Sequence, residues 1–415
     1  MTRNIYTAFH RMRTALLTGL MLGAGLVILS SPVIAADDVF TVAGVKVDAK
    51  AENAVAAREK AFATAQTVAF TAIATKLLGD EEAKAYKIPD TATIAAMIKD
   101  FEVTNEQISA VEYIGTYTFR FEGNAVRNRF NMQGLKYSDV VSKPVLVLPF
   151  YQMGQVISLW RDGNPWLKAW THADLKGGLV PINVPLGDAL DVCSISDDQA
   201  LDVPADKLEE MLARYGAKEA IILIAKPGKP ATGDFPADLS VMIYRTDNGT
   251  PEYAQTVKVT ADAGATSADA LYVKAVRQVR AILQKNWKNQ TMIDPAQGNI
   301  AGSGDIPAYT DPNASPYDRR LAASGPVSGL NNTITVHVQF TTMQEWVTTR
   351  QALQTVQGIS DMKVRSVTPR EAQVDLSFAG GIDRLRALLA QSDMVLTTDA
   401  TGSNYALALR KTASY

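Results

Sequence analysis

Histidines are the first residues to place, because catalytic and metal sites use them so often. The chain has 415 residues and three histidines, of which His10 lies in the N-terminal segment. His172 and His337 are far apart, and neither has the close spacing to cysteine or carboxylate that zinc sites use. His337 falls inside a predicted strand, with its ring on one sheet face. We therefore expect both to be structural, and predict no metal and no cofactor.

Cys193 is the only cysteine, so an intramolecular disulfide bond is excluded. Cys193 could act as a nucleophile with His172 as its base only if the two residues lay close together in the folded chain. The neighbours of Cys193 match no nucleophile signature, and a lone cysteine is usually a small buried hydrophobe. Nucleophile elbows and glycine-rich phosphate loops are also missing after the N-terminal segment. The sequence thus predicts no catalytic residues and a protein that is not an enzyme.

Four aspartates cluster in a loop-like stretch: Asp188, Asp191, Asp197 and Asp198. Carboxylate oxygens suit a hard cation, but the spacing differs from that of an EF-hand loop. Such residues more often cap helices or solvate loops, so we predict that role for them.

Tryptophans Trp160, Trp166 and Trp170 are the candidate binding surface of the chain. Three large rings so close together could face a protein partner or a glycan. Burial against a neighbouring sheet is the competing interpretation and the more common fate of such rings.

The N-terminal segment, residues 1–36, has the order of a signal peptide. Three arginines precede an apolar run from Ala15 to Leu29, which small residues ending at Ala36 follow. We predict cleavage after Ala35 or Ala36 and a periplasmic location. The alternative is an inner-membrane anchor formed by the uncleaved segment. Cleavage removes three of 41 basic and none of 43 acidic residues, so the net charge changes from −2 to −5.

Periodicity predicts an N-terminal α+β domain at residues 37–141. Its predicted elements are a strand at 39–48, helices at 51–78 and 91–101, strand structure within 108–121 and a helix at 124–133. Along the first helix, a core stripe is predicted from residues at helical spacing: Val55, Phe62, Ala65, Ala69, Ile73 and Leu77.

A three-layer-like α/β domain is predicted at residues 142–291, because apolar runs alternate with amphipathic stretches. The predicted strands are 143–150, 179–184, 220–225, 239–244 and 253–259, and the predicted helices are 205–215 and 266–290. Residues 292–332 are rich in Gly, Pro, Ser and Asp, which is typical of a flexible linker.

The last domain, residues 333–411, is predicted to be ferredoxin-like. Its apolar pattern reads strand, helix, strand, strand, helix and strand, which is the βαββαβ plan. The predicted segments are 333–340, 343–356, 359–367, 373–378, 382–391 and 395–398.

The distribution of charge argues against a nucleic-acid partner. Lysines and arginines are scattered rather than gathered into a basic stripe. No window after the first segment is long and apolar enough to span a bilayer. The sequence therefore predicts no stable membrane insertion after cleavage, and it leaves the oligomeric state open.

Two segments carry a family resemblance: Gly178–Asp191 (GLVPINVPLGDALD), and Leu212–Ala217 (LARYGA) followed by an apolar strand. Together with the N-terminal strand at Val45–Asp48 and the alanine-rich helix after it, they resemble an uncharacterised family of exported bacterial proteins, domain of unknown function two thousand and sixty-six. The resemblance spans most of the mature chain. It implies an exported protein of Gram-negative bacteria and brings no catalytic residues.

Three functions are compatible with these observations. We expect a non-catalytic periplasmic protein-interaction or scaffolding protein of the cell envelope, with a protein partner. The first alternative is a periplasmic small-molecule or glycan binder that uses the α/β domain. The second is an envelope-polymer hydrolase, in which carboxylates distant in sequence would meet in a cleft.

Overall fold

The fold mixes helices with strands, and the strands form three sheets. A computed structural model describes residues 39–230, 236–262, 267–295, 331–398 and 405–410. By their contacts, the described residues form one compact unit. The predicted signal peptide and residues 296–330 of the predicted linker lie outside the described residues.

The first sheet is antiparallel and three-stranded, with strand order β1-β3-β2. Its part of the chain contains β1 (Thr41–Lys50), α1 (Ala54–Leu77), α2 (Asp80–Ala85), α3 (Thr91–Ala95), β2 (Ile98–Ile108), β3 (Glu112–Phe121) and α4 (Gly123–Met132).

Helix α1 packs on one face of this sheet through small side chains. Fully buried alanines recur every four positions: Ala57, Ala61, Ala65 and Ala69. Because alanine adds only a methyl group, the helix backbone can lie close to the strands. The predicted stripe is confirmed at Ala65, Ala69, Ile73 and Leu77, but Val55 is 68% exposed and Phe62 only partly buried.

The predicted helix at residues 91–101 was wrong in its second half. Helix α3 ends at Ala95, and β2 begins at Ile98. Phe101 lies opposite Phe119 of β3, with the ring centroids 5.9 Å apart. Cross-strand pairing of this kind, together with the backbone hydrogen bonds to β3, overrides the local helical pattern.

The second sheet has the strand order β5-β4-β7-β8-β9, with β6 paired to β4. Strands β4 and β7 are parallel, whereas β7, β8 and β9 pair antiparallel. The elements are β4 (Val145–Met153), β5 (Val156–Ser158), α5 (Pro165–Thr171), β6 (Ile182–Asn183), α6 (Ala189–Ser194), α7 (Ala205–Tyr215), β7 (Glu219–Pro227), β8 (Asp238–Arg245), β9 (Glu252–Thr260) and α8 (Ala268–Thr291).

Side chains on both faces of β4 and β7 are buried. Val147 and Leu223 belong to the core cluster that also contains residues of α5 and α8. Leu148 and Ile222 belong to a second cluster, shared with α7. Continuous apolar strands are expected where helices cover both faces of a sheet.

The third sheet has five strands, in the order β11-β12-β10-β14-β13. Its elements are β10 (Asn331–Gln339), α9 (Met343–Thr355), β11 (Ile359–Val367), β12 (Glu371–Ala379), α10 (Ile382–Ala390), β13 (Met394–Thr398) and β14 (Tyr405–Leu409). The order of the first six follows the predicted βαββαβ pattern. The sequence prediction missed β14, which pairs parallel with β10 and antiparallel with β13, so it separates these two strands.

Buried polar contacts join the ends of α1, α8 and α10. Lys288 of α8 donates to the carbonyl oxygen of Leu78, just after α1, at 3.0 Å. Arg384 of α10 donates from Nε to the carbonyl oxygen of Thr291 at 2.9 Å, and also reaches Ala379 O and Asp139. These bonds satisfy groups that burial would otherwise leave unpaired. Within the described ranges, no helix has the length and apolar character needed to cross a membrane.

Candidate functional site

Two of the three candidate tryptophans lie in the core. Trp166 and Trp170 are four residues apart on α5, and both rings are fully buried. The rings are nearly perpendicular, with centroids 5.7 Å apart. Neither indole nitrogen has a hydrogen-bond partner among the described residues. These two rings therefore offer no surface for stacking, and only Trp160 of the three is partly exposed.

Trp160 is fixed to the loop after α6. Its indole N–H donates to the carbonyl oxygen of Ile195 at 2.7 Å, and its backbone N–H donates to Asp197 at 2.6 Å. A Cβ atom at Gly187 would lie 2.9 Å from the ring, and Gly187 has a φ of +75°. Glycine suits both the close approach and this backbone conformation. The ring thus supports the loop.

Asp191 is completely buried and forms an ion pair with Arg214. Nη2 of Arg214 donates to Oδ1 at 2.7 Å, and the hydroxyl of Tyr215 donates to Oδ2 at 2.8 Å. Burial and the hydrogen bond to Asp191 raise the pKa of Tyr215 to about 12. The two segments that carry the family resemblance therefore meet at this ion pair, where they position α6 against α7.

The predicted acidic cluster is divided among separate structural roles. Asp188 caps α6 by accepting from the backbone N–H of Asp191 at 2.9 Å, and Asp198 accepts from the hydroxyl of Ser196 at 2.9 Å. In the described part of the chain, no three His, Cys, Asp or Glu side chains are grouped so as to hold a metal ion. Cys193 is exposed on α6 rather than buried.

The two histidines lie at unrelated places. His172 ends α5, and its Nδ1 lies 2.9 Å from the carbonyl oxygen of Lys168. His337 lies on β10 and contacts Glu371 of the neighbouring strand β12. Each ring therefore has a local contact within its own secondary structure or sheet.

Among the described residues, three carboxyl groups have a pKa below the usual range. The hydrogen bond from Lys285 lowers the pKa of Asp80, the backbone N–H of Thr93 lowers that of Asp90, and the hydrogen bond from Arg365 lowers that of Asp375. A glycosidase acid needs the opposite shift, because it must remain protonated near neutral pH. None of these three groups therefore suits the acid role of a hydrolase.

Strand β2 is the most open regular element that the sequence analysis missed. It forms the edge of the first sheet, and nine of its eleven residues are exposed. It pairs with β3 on one side, and no described strand pairs with its other side. Its outer edge therefore presents main-chain N–H and C=O groups that another extended segment could bind.

The two faces of β2 differ in character. Phe101 and Val103 lie opposite Phe119 and Tyr117, whose side chains are buried on the α1 side of the sheet. Phe101 is nevertheless 48% exposed, although its ring centroid is 4.8 Å from that of Phe62 on α1. An aromatic surface therefore borders the open edge on this side.

Acidic residues occupy the other face of β2. Asp100 and Glu102 lie opposite Arg120 and Thr118 in the ladder. Both carboxylates contact Arg120, at 2.5 and 3.6 Å, yet their side chains remain 47% and 59% exposed. The edge thus offers apolar groups on one face and carboxylates on the other.

In comparisons with known proteins, no family model, curated protein or solved structure matches the chain.

Proposed function

We propose that the chain is an exported, non-catalytic interaction protein of the bacterial cell envelope, and that β2 is the edge that binds its partner. The observation that carries this proposal is the eleven-residue edge strand with nine exposed residues. Extended segments of partner proteins add to such edges through main-chain hydrogen bonds, while alternate side chains provide specificity. The arginine-led apolar segment at the N-terminus and the likeness to an exported family support the location.

The partner segment is expected to alternate basic and apolar residues. Successive side chains of a strand point to opposite faces of the sheet. Basic residues of an added strand would face Asp100 and Glu102, and apolar ones would extend the surface of Phe101 and Val103. Charge complementarity of this kind selects a partner and its register.

Strand β2 also has features that oppose indiscriminate pairing. Its register with β3 shifts between Thr104 and Gln107, and Asn105 has a φ of +53°. Bulges and charged side chains are common protections of edge strands against aggregation. The edge is therefore suited to a complementary segment of a partner protein rather than to β2 of a second copy of the chain.

Site-specific photo-crosslinking tests this assignment. A photoreactive amino acid would replace Glu102 on β2 or, as the control, Glu209 on the exposed side of α7 in the full chain expressed in its own bacterium. The proposal expects one defined envelope protein to crosslink from position 102 and not from position 209. Equal crosslinking from both positions would contradict a partner-binding role for β2.

A pair of proline variants tests the main-chain contact itself. Adjacent residues of an edge strand point their N–H groups to opposite sides of the strand. One of the variants Glu102→Pro and Val103→Pro therefore removes an N–H that points outward, and the other removes an N–H that bonds to β3. The variant that keeps the fold should lose the crosslinked partner when the photoreactive residue is placed at Thr104. Retention of the partner by that folded variant would refute strand addition.

Export has its own measurement. N-terminal sequencing of the protein from a periplasmic fraction should start at Ala36 or Asp37. An intact N-terminus in the inner-membrane fraction would instead establish the anchored form.

A further inference from the structure

A cleft between α5 and α8 lies outside the surface assigned to β2. Its volume is about 610 Å³. The residues that give the cleft an apolar floor are Pro165, Ala169, Ala173, Leu175, Val273 and Val276. Ligand sites commonly have volumes of about 300–1,000 Å³ and mostly apolar walls with few polar groups. The cleft has the size and composition of a small-molecule site.

The cleft is open because the large side chains of α5 face the core and small ones face α8. Its two tryptophans, Trp166 and Trp170, are buried in the core, so the face turned to the cleft carries Ala169 and, just beyond the helix, Ala173. Methyl groups are too small to close the space in front of α8. Val273 of α8 consequently remains 40% exposed. Apolar surface left open in a concave site gains free energy when an apolar ligand covers it.

Cations without counter-ions lie on both walls. Lys168 of α5 and Arg277 of α8 line the cleft, and neither side chain has a hydrogen bond or ion pair with any described residue. Arg280 differs, because it donates to the carbonyl oxygens of Asp174 and Lys176 at 2.8 and 2.7 Å and so holds that loop in place. Two charged side chains therefore remain available to a ligand.

We propose that this cleft binds a small anionic amphiphile, a medium-chain alkyl carboxylate, with the alkyl chain on the apolar floor and the carboxylate beside Lys168 and Arg277. The carboxylates Asp174 and Asp269 also line the cleft, and they disfavour a second negative charge on the ligand. A ligand with one negative charge in its head group therefore fits the mixture of cations and carboxylates that line the cleft. The assignment does not depend on the role of β2.

Calorimetric titration of the full chain with monomeric alkyl carboxylates tests the proposal. Affinity for the C8, C10 and C12 carboxylates should rise by about fourfold per methylene group, since each buried methylene contributes about 0.8 kcal/mol. A brominated dodecanoate should quench the fluorescence of the tryptophans on α5. Dodecanol and dodecyltrimethylammonium should bind more weakly than dodecanoate, because they lack the anionic head group.

Variants of the cleft separate its two parts. Val273→Glu, which places a carboxylate on the floor, should weaken dodecanoate binding at least tenfold, and Ala173→Leu should do so by filling the space. Lys168→Gln with Arg277→Gln should remove the preference for dodecanoate over dodecanol. Lys207→Gln on α7 is the matched control and should leave both affinities unchanged.

Three outcomes would overturn the proposal. The first is that the folded Val273→Glu and Ala173→Leu variants bind dodecanoate as tightly as the unmodified chain does. The second is that the unmodified chain binds the anionic and cationic amphiphiles with equal affinity. The third is that it binds anionic lipid vesicles but not monomeric dodecanoate. The last result would assign the cleft to a membrane surface. Each measurement can be repeated with a folded β2 proline variant, which should bind dodecanoate normally, so failure of one proposal is distinguishable from failure of the other.

Discussion

Replacing Arg384 by leucine is expected to loosen the third sheet from α8. The side chain of Arg384 is only 3% exposed, and it donates to Thr291 O, Ala379 O and Asp139. Leucine would leave both carbonyl groups without this donor, whereas Asp139 would keep its 2.6 Å contact with Arg127. A buried group left unpaired costs about 1–3 kcal/mol, and breaking a buried ion pair costs about 3–5 kcal/mol. Because Asp139 keeps one cation, we expect a loss of about 3 kcal/mol.

Hydrogen exchange measured by mass spectrometry reports this loss locally. A decrease of about 3 kcal/mol in the free energy of opening corresponds to exchange roughly a hundredfold faster. The acceleration should appear in peptides from α10 and β12, whereas peptides from β7 and β8 should change little.

Arg386→Leu is the matched control on the same helix. Arg386 is 41% exposed and pairs with Asp383 three residues earlier. Exposed pairs of this type contribute about 0–1 kcal/mol, so exchange should change by less than about fivefold. If Arg384→Leu accelerated exchange no more than Arg386→Leu, the reasoning about the buried junction would be refuted.

Three further perturbations test the contacts around α6 and the turns. Asp191→Leu should lower the free energy of unfolding by about 3 kcal/mol because it leaves Arg214 and the Tyr215 hydroxyl without their acceptor. Adding Arg214→Met should restore, in denaturant unfolding, the part of that loss that comes from the unpaired guanidinium. The pKa of Tyr215 is raised to about 12 in the folded chain. The hydroxyl therefore contributes its full stabilisation below pH 10, and this stabilisation is lost as the pH rises towards 12. Tyr215→Phe should accordingly reduce the fall in the free energy of unfolding over this pH range. Gly187→Ala should lower the thermal midpoint more than Gly249→Ala, since both have positive φ but only the former meets a ring at 2.9 Å.

Elements whose pattern is local could be predicted from the sequence, and those that depend on a distant strand could not. Helices α7 and α8 were expected at nearly their observed bounds because an apolar stripe runs along each. Strand β14 has only five residues and exists through its pairing with β10 and β13. Strand β2 likewise depends on β3. The alternation of Phe101 and Val103 with Asp100 and Glu102 is the signal for this strand, but the predicted helix covered only residues 91–101 and no element was predicted for residues 102–107.

The tryptophans show why residue type alone did not locate a site. Aromatic clustering is compatible with a surface or a core, and the deciding information is the face of the element that carries each ring. Trp166 and Trp170 are separated by one helical turn, which places both on the same side of α5. The two rings therefore share one environment, and in this fold that environment is the core.

The distribution of charged residues connects the fold with both proposals. Arg214 with Asp191, Arg384 with Asp139, and Arg245 with Glu219 form ion pairs in which the carboxylate is nearly or completely buried. Glu219 accepts from two nitrogens of Arg245, at 2.6 and 3.0 Å. These pairs join neighbouring elements. The two proposed binding surfaces, the main-chain edge of β2 and the apolar floor between α5 and α8, contain none of these six residues.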